Sequence, residues 1–391
     1  MAAPIDRAVD RAVERGVDGA TVRAERFAAT GLRGPGLPDA PAVVDALLAV
    51  QGQELQPALW GLSRRVAPSS RPGRAALNTA LADGDLLRTH VLRPTWHLVR
   101  PRDARWLLEL TAPRVERLMA STERSWDLGD LGPGTDAVAA AVADGPRTRA
   151  EIKAELVARG VLDPDAPGLA YTQMLMHAEL QRLVISGPPP AGKELQHQSY
   201  ATFDDRVPAG YGPLGERFDA EAAVVELWRR YLPGRAFATV NDLRLWSDVT
   251  VRDLAPALAA LLDAGEAVQV PGAGDLEGLT LVATAGTAEA WAGGAVARDD
   301  PDRPVADLLQ AYDELLMSYR ETRHVVLDPA LPPPDRAGAY VHSLAVDGVV
   351  AGRWRWPAGR TALDVQWLRD LTPAERGALD AAVADLDNYL D

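Results

Sequence analysis

Two carboxamides flank a glycine at Gln51-Gly52-Gln53, inside the run Leu47-Leu48-Ala49-Val50-Gln51-Gly52-Gln53-Glu54-Leu55-Gln56-Pro57, and Arg64 and Arg65 follow closely. A carboxamide donates and accepts hydrogen bonds without titrating, so such a pair can orient a water nucleophile and contact an extruded base or its sugar. The glycine permits a close backbone approach. The same residues also read as the end of a helix, with Gln51 and Gln53 polarising the terminus and Gly52 as its C-terminal glycine. The residue types leave both readings open.

Other candidates are weaker. Arg93 and His97, in Arg93-Pro94-Thr95-Trp96-His97-Leu98-Val99, lie four apart in a run read as extended and suit phosphate contact, or else the wet face of a strand whose core is Trp96. Tyr312 to Arg323 carries Asp313, Tyr319, Arg320 and Arg323 and reads equally as a site or a surface helix. Lys193, Gln196, His197, Gln198 and Tyr200 form a polar wing suited to a DNA backbone, or a solvated hairpin. None of the six histidines has the i, i+4 spacing with a glutamate that a helical zinc site needs, so no metal and no cofactor are expected. No glycine-rich phosphate loop and no Gly-x-Ser-x-Gly elbow occurs, which removes the usual handles of kinases and serine hydrolases.

Composition narrows the class. With 391 residues, 47% hydrophobic and 25% charged, the chain has material for two to four packed domains. The absence of cysteine excludes disulfides, thiolate metal sites and cysteine nucleophiles. Without a long apolar run or a secretory h-region, a cytoplasmic protein with no membrane partner is expected. The net charge of -14 opposes nucleic-acid binding in total but not locally. Trp60 to Leu118 holds eleven Arg against five Asp or Glu, a local excess of six positive charges.

The elements that would position these residues repeat. A helical tail over 1–20 precedes a first unit over 21–135, with a helix over Ala42–Val50, another over Arg71–Ala82, a strand-like pair within Leu87–Val99 and a helix from Pro101 to Met119. A second unit over 136–212 carries a helix-start signal within Gly145–Ile152, a further helix over about Ala170–Arg182 and the strand Val184-Ile185-Ser186. A third, over 213–299, has helices starting at Asp219, Thr239 and Thr250 and a hairpin across Pro271–Gly278. The rest, 300–391, carries a hairpin at Asp347-Gly348 and a capping box at Thr372 and Glu375, and reads as a small β-containing cap on the third unit. The fold class is thus α+β, mainly helical, with three tandem winged-helix units.

Four stretches, in order, resemble the AlkZ-like winged-helix DNA glycosylase family: Val50-Gln51-Gly52-Gln53-Glu54, Leu92 to Val99, Ser199-Tyr200-Ala201 with Arg206-Val207-Pro208, and Ala311 to Arg320. Gln53 places the chain with the family's Gln-x-Gln branch rather than its Gln-x-Asp branch. Pro94 and Trp96 depart from the Arg-Gly-Thr-Leu-His pattern common there. The resemblance implies a concave arrangement of the units and hydrolysis of the N-glycosidic bond of alkylated purines, including unhooking of interstrand crosslinks. It implies Gln51 and Gln53 as catalytic residues. Glu54 and Asp313 are then candidate auxiliary bases, and Trp60 and Trp96 candidate stacking partners for a cationic base. Arg64, Arg65, Arg93, His97, Lys193, Gln198, Arg320 and Arg323 are the expected DNA contacts, and a monomer on damaged double-stranded DNA the expected complex. Two rivals are a winged-helix transcription regulator without catalysis and a drug-sequestering protein.

Overall fold

Aspartates and threonines start most of the helices, and their side chains place the elements. In the computed structural model, which describes residue 9 and residues 12–188, 198–294, 303–328, 342–357 and 363–391, Asp18 caps helix α1 (Gly19–Ala29) by accepting from the Thr21 backbone N–H. Lys193, Gln196 and His197 lie outside the described residues. Asp39 caps α2 (Ala40–Leu47), and Pro41 takes its tolerated place in the first turn. This helix stops three residues earlier than expected. Leu48 adopts φ of 63°, a conformation costly for a branched side chain, and turns the chain into strand β1 (Ala49–Gln51). Helices α3 (Leu55–Arg65) and α4 (Arg74–Asp83) follow, then β2 (Leu87–His90) and β3 (Trp96–Val99). The three strands form an antiparallel sheet in the order β1-β3-β2, with Gln51 opposite His97. Gln51 therefore ends a strand, and the helix-terminus reading of the motif falls.

Helix α5 (Pro101–Ser125) outruns its expected end at Met119 by six residues, none of them buried. Trp106, Leu107, Leu108 and Val115 share one core with Met176 and Leu180 and with Leu227, Trp228 and Tyr231. The second group of elements is α6 (Gly132–Ala141), β4 (Arg147–Thr148), α7 (Arg149–Ala158), α8 (Gly168–Leu180), β5 (Val184–Ser186) and β6 (Ser199–Thr202), with sheet order β4-β6-β5. In the third, α9 (Ala220–Tyr231) leads through a bridge from Ala238 to Val282 into α10 (Val240–Ser247), α11 (Val251–Asp263) and the hairpin β7 (Ala267–Pro271) and β8 (Thr280–Thr284). Thr239 and Thr250 cap their helices as expected. One order, helix, strand or bridge, two helices, hairpin, thus occurs three times. The short strands β1 and β4 escape sequence reading because two or three residues show no alternation.

The C-terminal region carries an antiparallel sheet in the order β12-β11-β10-β9, from β9 (Ala306–Leu309), β10 (His342–Val346), β11 (Val349–Trp354) and β12 (Val365–Trp367). Asp347 and Gly348 both take positive φ, 47° and 77°, the requirement of a tight hairpin. Helix α12 (Pro373–Leu390) has the expected capping box. The region does not simply cap the third unit. Leu308, Leu344, Trp354, Leu386 and Tyr389 share a core with Val43, Leu59, Trp60 and Leu98 of the first unit, while Leu309, Leu315 and Val325 join Phe27 and Phe237 in another. Helix α1 also docks away from the first unit. Arg26 is fully buried and donates to the Phe237 and Thr322 carbonyls. Among the described residues no helix is long and apolar enough to cross a membrane.

Candidate active site

The Gln-x-Gln segment crosses from β1 to α3, and five of its backbone groups are tied. The Gln51 N–H donates to Glu314 Oε1 (2.9 Å), and its carbonyl accepts from Gln310 Nε2 (3.2 Å). The Gly52 N–H donates to the Trp96 carbonyl (2.8 Å). The Gly52 and Gln53 carbonyls accept from Arg88 Nε (2.8 Å) and Nη2 (3.1 Å). A Cβ at Gly52 would stand 3.3 Å from Leu98 Cγ, so the glycine lets the segment lie against β3.

The two side chains are held by their oxygens. Gln51, only 2% exposed, accepts from Arg93 Nη2 (2.7 Å), and Gln53, half-buried, accepts from the Trp96 N–H (3.3 Å). Both partners can only donate, which fixes which end of each amide is oxygen and turns both NH2 groups away from those contacts. Beneath lies a buried frame. The other oxygen of Glu314 accepts from Arg235 Nη2 (2.7 Å), Trp246 Nε1 (2.7 Å) and Ser318 Oγ (2.6 Å). Arg235, fully buried, also donates to the Leu47 carbonyl (2.6 Å) and lies against the adjacent rings of Tyr231 and Trp246, at 5.0 and 4.8 Å. A buried charge with this many partners holds its neighbours in one geometry.

The acidic candidates separate. Glu54 keeps a side chain 41% exposed, and partial burial raises its pKa above the ordinary carboxylate value. Its carboxylate lies 3.5 Å from His342 Nε2. His342 Nδ1 accepts from the Ala311 N–H (2.9 Å), so the ring proton sits on Nε2, toward Glu54, and burial lowers the His342 pKa to about 4. Asp313 is instead enclosed, accepting from Arg65 Nη2 (2.7 Å) and the Leu315 N–H (3.0 Å). Both contacts fall on Oδ1 of a carboxylate only 1% exposed, so the acid expected as an auxiliary base is instead held in a buried ion pair.

Several expected DNA contacts are internal. Arg65, buried, pairs with Asp313 and also donates to the Gly61 carbonyl; Arg64 is held by Asp385 and by Asp307 at 3.6 Å. Neither guanidinium is free for phosphate. His97 is wholly buried, and burial together with Arg93 pushes its pKa well below the ordinary value. Its Nδ1 donates to the Thr95 carbonyl (2.9 Å), so a neutral acceptor remains, the wrong partner for phosphate. Arg93 and His97 are not four apart on one strand, because residues 91–95 form the turn between β2 and β3, with Leu92 at φ of 66°. Trp60 is fully buried and donates to the Leu308 carbonyl (2.8 Å), so it stacks on no ligand. Trp96 is half-buried, its ring 4.3 Å from the Arg88 guanidinium and 4.4 Å from the His90 ring.

Arg320 is exposed, and Arg323 is half-buried and donates to the Tyr319 carbonyl (3.1 Å). The positive fields of Arg323 on Arg93, and of Arg114, Arg244, Arg93 and Arg117 on Asp248, mark one basic neighbourhood beside Gln51. Sequence reading missed Arg88, Arg235, Glu314 and His342. Glu314 lies inside a quoted stretch, but nothing local marks Arg235 after Pro233-Gly234. Among the described residues no group of three His, Cys, Asp or Glu is arranged to hold a metal ion.

The family model described as DNA glycosylase AlkZ-like matches residues 44–389. No curated protein matches the sequence. Among solved structures, the Streptomyces sahachiroi DNA glycosylase AlkZ is similar in fold, with a TM-score of 0.71 over 96% of this chain and 97% of that one, at 21% identity.

Proposed function

The chain belongs to the AlkZ-like DNA glycosylase family, and from that premise we propose that it is a monofunctional, monomeric glycosylase hydrolysing the N-glycosidic bond of N7-alkylated purines. Its three repeated groups of elements are read as winged helices placed around damaged double-stranded DNA. Unhooking of interstrand crosslinks, and with it base excision repair or self-resistance to a genotoxin in the cytoplasm, belongs to the same proposal.

N7-alkylation leaves the purine positively charged, so the base departs neutral and needs little acid catalysis. The C1′–N9 bond breaks with its electron pair going to the purinium, and the sugar becomes oxocarbenium-like. Water forms the new C1′–O bond and loses its proton. The products are the free alkylated base and an abasic site. Gln51 and Gln53 present oriented amides to hold that water, and Glu54, held from behind by His342, accepts the proton. No part is proposed for Asp313. The observation that carries this reading is the pair of glutamines, each with its oxygen fixed by a donor-only partner, so that both neutral amides are held in one orientation.

The test is incubation with duplex containing N7-methylguanine, followed by alkali or heat to cut at abasic sites. Release of the base with cleavage at the lesion supports the proposal. A specific operator footprint without base release from any alkylated or crosslinked duplex would establish the regulator reading instead.

A further inference from the structure

Between the first and second groups of elements lies a cavity of about 590 Å³, lined by Arg88, Trp96, Arg149, Lys153, Gln198 and Tyr200. We propose that it binds one backbone phosphodiester of the DNA strand, next to the Gln-x-Gln segment.

Three observations carry this. First, three lining donors lack a hydrogen-bond partner among the described residues: Trp96 Nε1, Gln198 Nε2 and Tyr200 Oη. Tyr200 is wholly buried, and an unpaired buried hydroxyl costs free energy unless a ligand or water satisfies it. Secondly, the lining carries three cations and no carboxylate. Arg88 is so enclosed that burial pushes its pKa down to about 10, which favours an anionic partner. Of the nearby acids, Glu151 is held by the Thr148 capping box, and Glu179 gives Oε2 to His90. Glu179 Oε1, unpartnered among the described residues, and the Glu179 charge bear on Arg88 and Tyr200 from outside the lining, offsetting part of one of the three cations. Thirdly, Thr148 and Gly168 place the starts of α7 and α8 at this cavity, and α8 has no side-chain cap. Helix starts carry partial positive charge and unpaired N–H groups.

The charge also decides which part of DNA enters. A cationic N7-alkylpurine would be repelled by Arg88, Arg149 and Lys153; a phosphodiester would be attracted and would accept from all three orphan donors. Arg88 links the cavity to the motif, since it also donates to the Gly52 and Gln53 carbonyls. Phosphate seated there would fix the register of the strand beside the amides.

The inference rests on DNA being the substrate but not on the base-release chemistry. Its test is the salt dependence of binding to undamaged duplex, with base release assayed in parallel. The pair Arg149→Ala with Lys153→Ala should weaken binding about tenfold at low salt and reduce the slope of log K against log salt by about 0.9, the loss of one phosphate. Tyr200→Phe should weaken binding a few-fold and melt no lower than wild type, because the hydroxyl it removes has no partner. An unchanged slope and affinity in both variants overturns the proposal even where base release persists. A reduced slope with no base release from wild type leaves it standing and ends the glycosylase reading. If inorganic phosphate alone stabilises the protein through these residues while DNA affinity is unmoved, the phosphodiester assignment is overturned.

Discussion

The frame under Gln51 and the cavity beside Gln53 are both polar and largely buried, yet opposite in design. In the frame every strong group has partners: Glu314 takes four donors, and Arg235 reaches Leu47, Ser318 and Glu314. In the cavity Trp96, Gln198 and Tyr200 leave a donor unpaired. Satisfied polar groups hold a geometry; unsatisfied ones wait for a ligand. Gln51 and Gln53 stand between the two, oxygens fixed and nitrogens available.

The comparison breaks first if the frame proves dispensable. Glu314→Ala strands the Arg235 charge, and an unfolding loss of about 3–5 kcal/mol is expected in urea titrations; a loss below about 1 kcal/mol would mean Gln51 is held by other means. Next in size, Gln53→Ala should lower base release by about 10²–10³-fold, near the value of one lost oriented donor, with DNA affinity within a few-fold. Gln51→Ala should do the same but also unfold more easily, since Arg93 loses its acceptor. Failure of both variants to fold would return the motif to a structural role. Arg64→Ala should cost about 1–3 kcal/mol of stability by leaving the buried Asp307 less compensated, without flattening the salt dependence of binding; weaker binding at full foldedness would restore Arg64 to the DNA face.

The smallest effect is in pH. Glu54 has a raised pKa and must be ionised to accept a proton, so base release should fall as pH drops through a point above the ordinary carboxylate value. His342 stays neutral down to about pH 4 and so contributes no limb above that. Glu54→Gln should remove the limb, and a profile identical to wild type would exclude Glu54. The sign for stability is separate. An unfolded histidine binds its proton near its ordinary value and the folded one only near 4, so His342 makes the fold lose stability as pH falls through that window.

Much was legible where chemistry is local. Thr239, Thr250 and Thr372 cap the helices they announce, Asp347-Gly348 turns its hairpin, and the α+β, mainly helical class stands. The family was legible from four short stretches in order. What failed is long-range. Arg64 and Arg65 follow the motif closely and read as basic, but their partners are Asp385 and Asp313, more than 240 residues on. Trp60 and His97 likewise give no local sign of total burial. Burial and ion pairing are decided by what the rest of the chain lays over a residue, and a single stretch does not contain that.

One contact has a consequence in time. The Gln51 N–H is held by Glu314, 263 positions later in the chain, and Trp60 packs on Tyr389 at a ring distance of 5.4 Å. A ribosome that has emitted the first unit has therefore not emitted the acid that anchors its motif, nor the sheet that closes its core. At about 5–20 residues per second, the glutamines wait tens of seconds for their support. The first unit should stay protease-sensitive until residues 306–390 have emerged, and bond-cleaving ability should appear only near the end of synthesis.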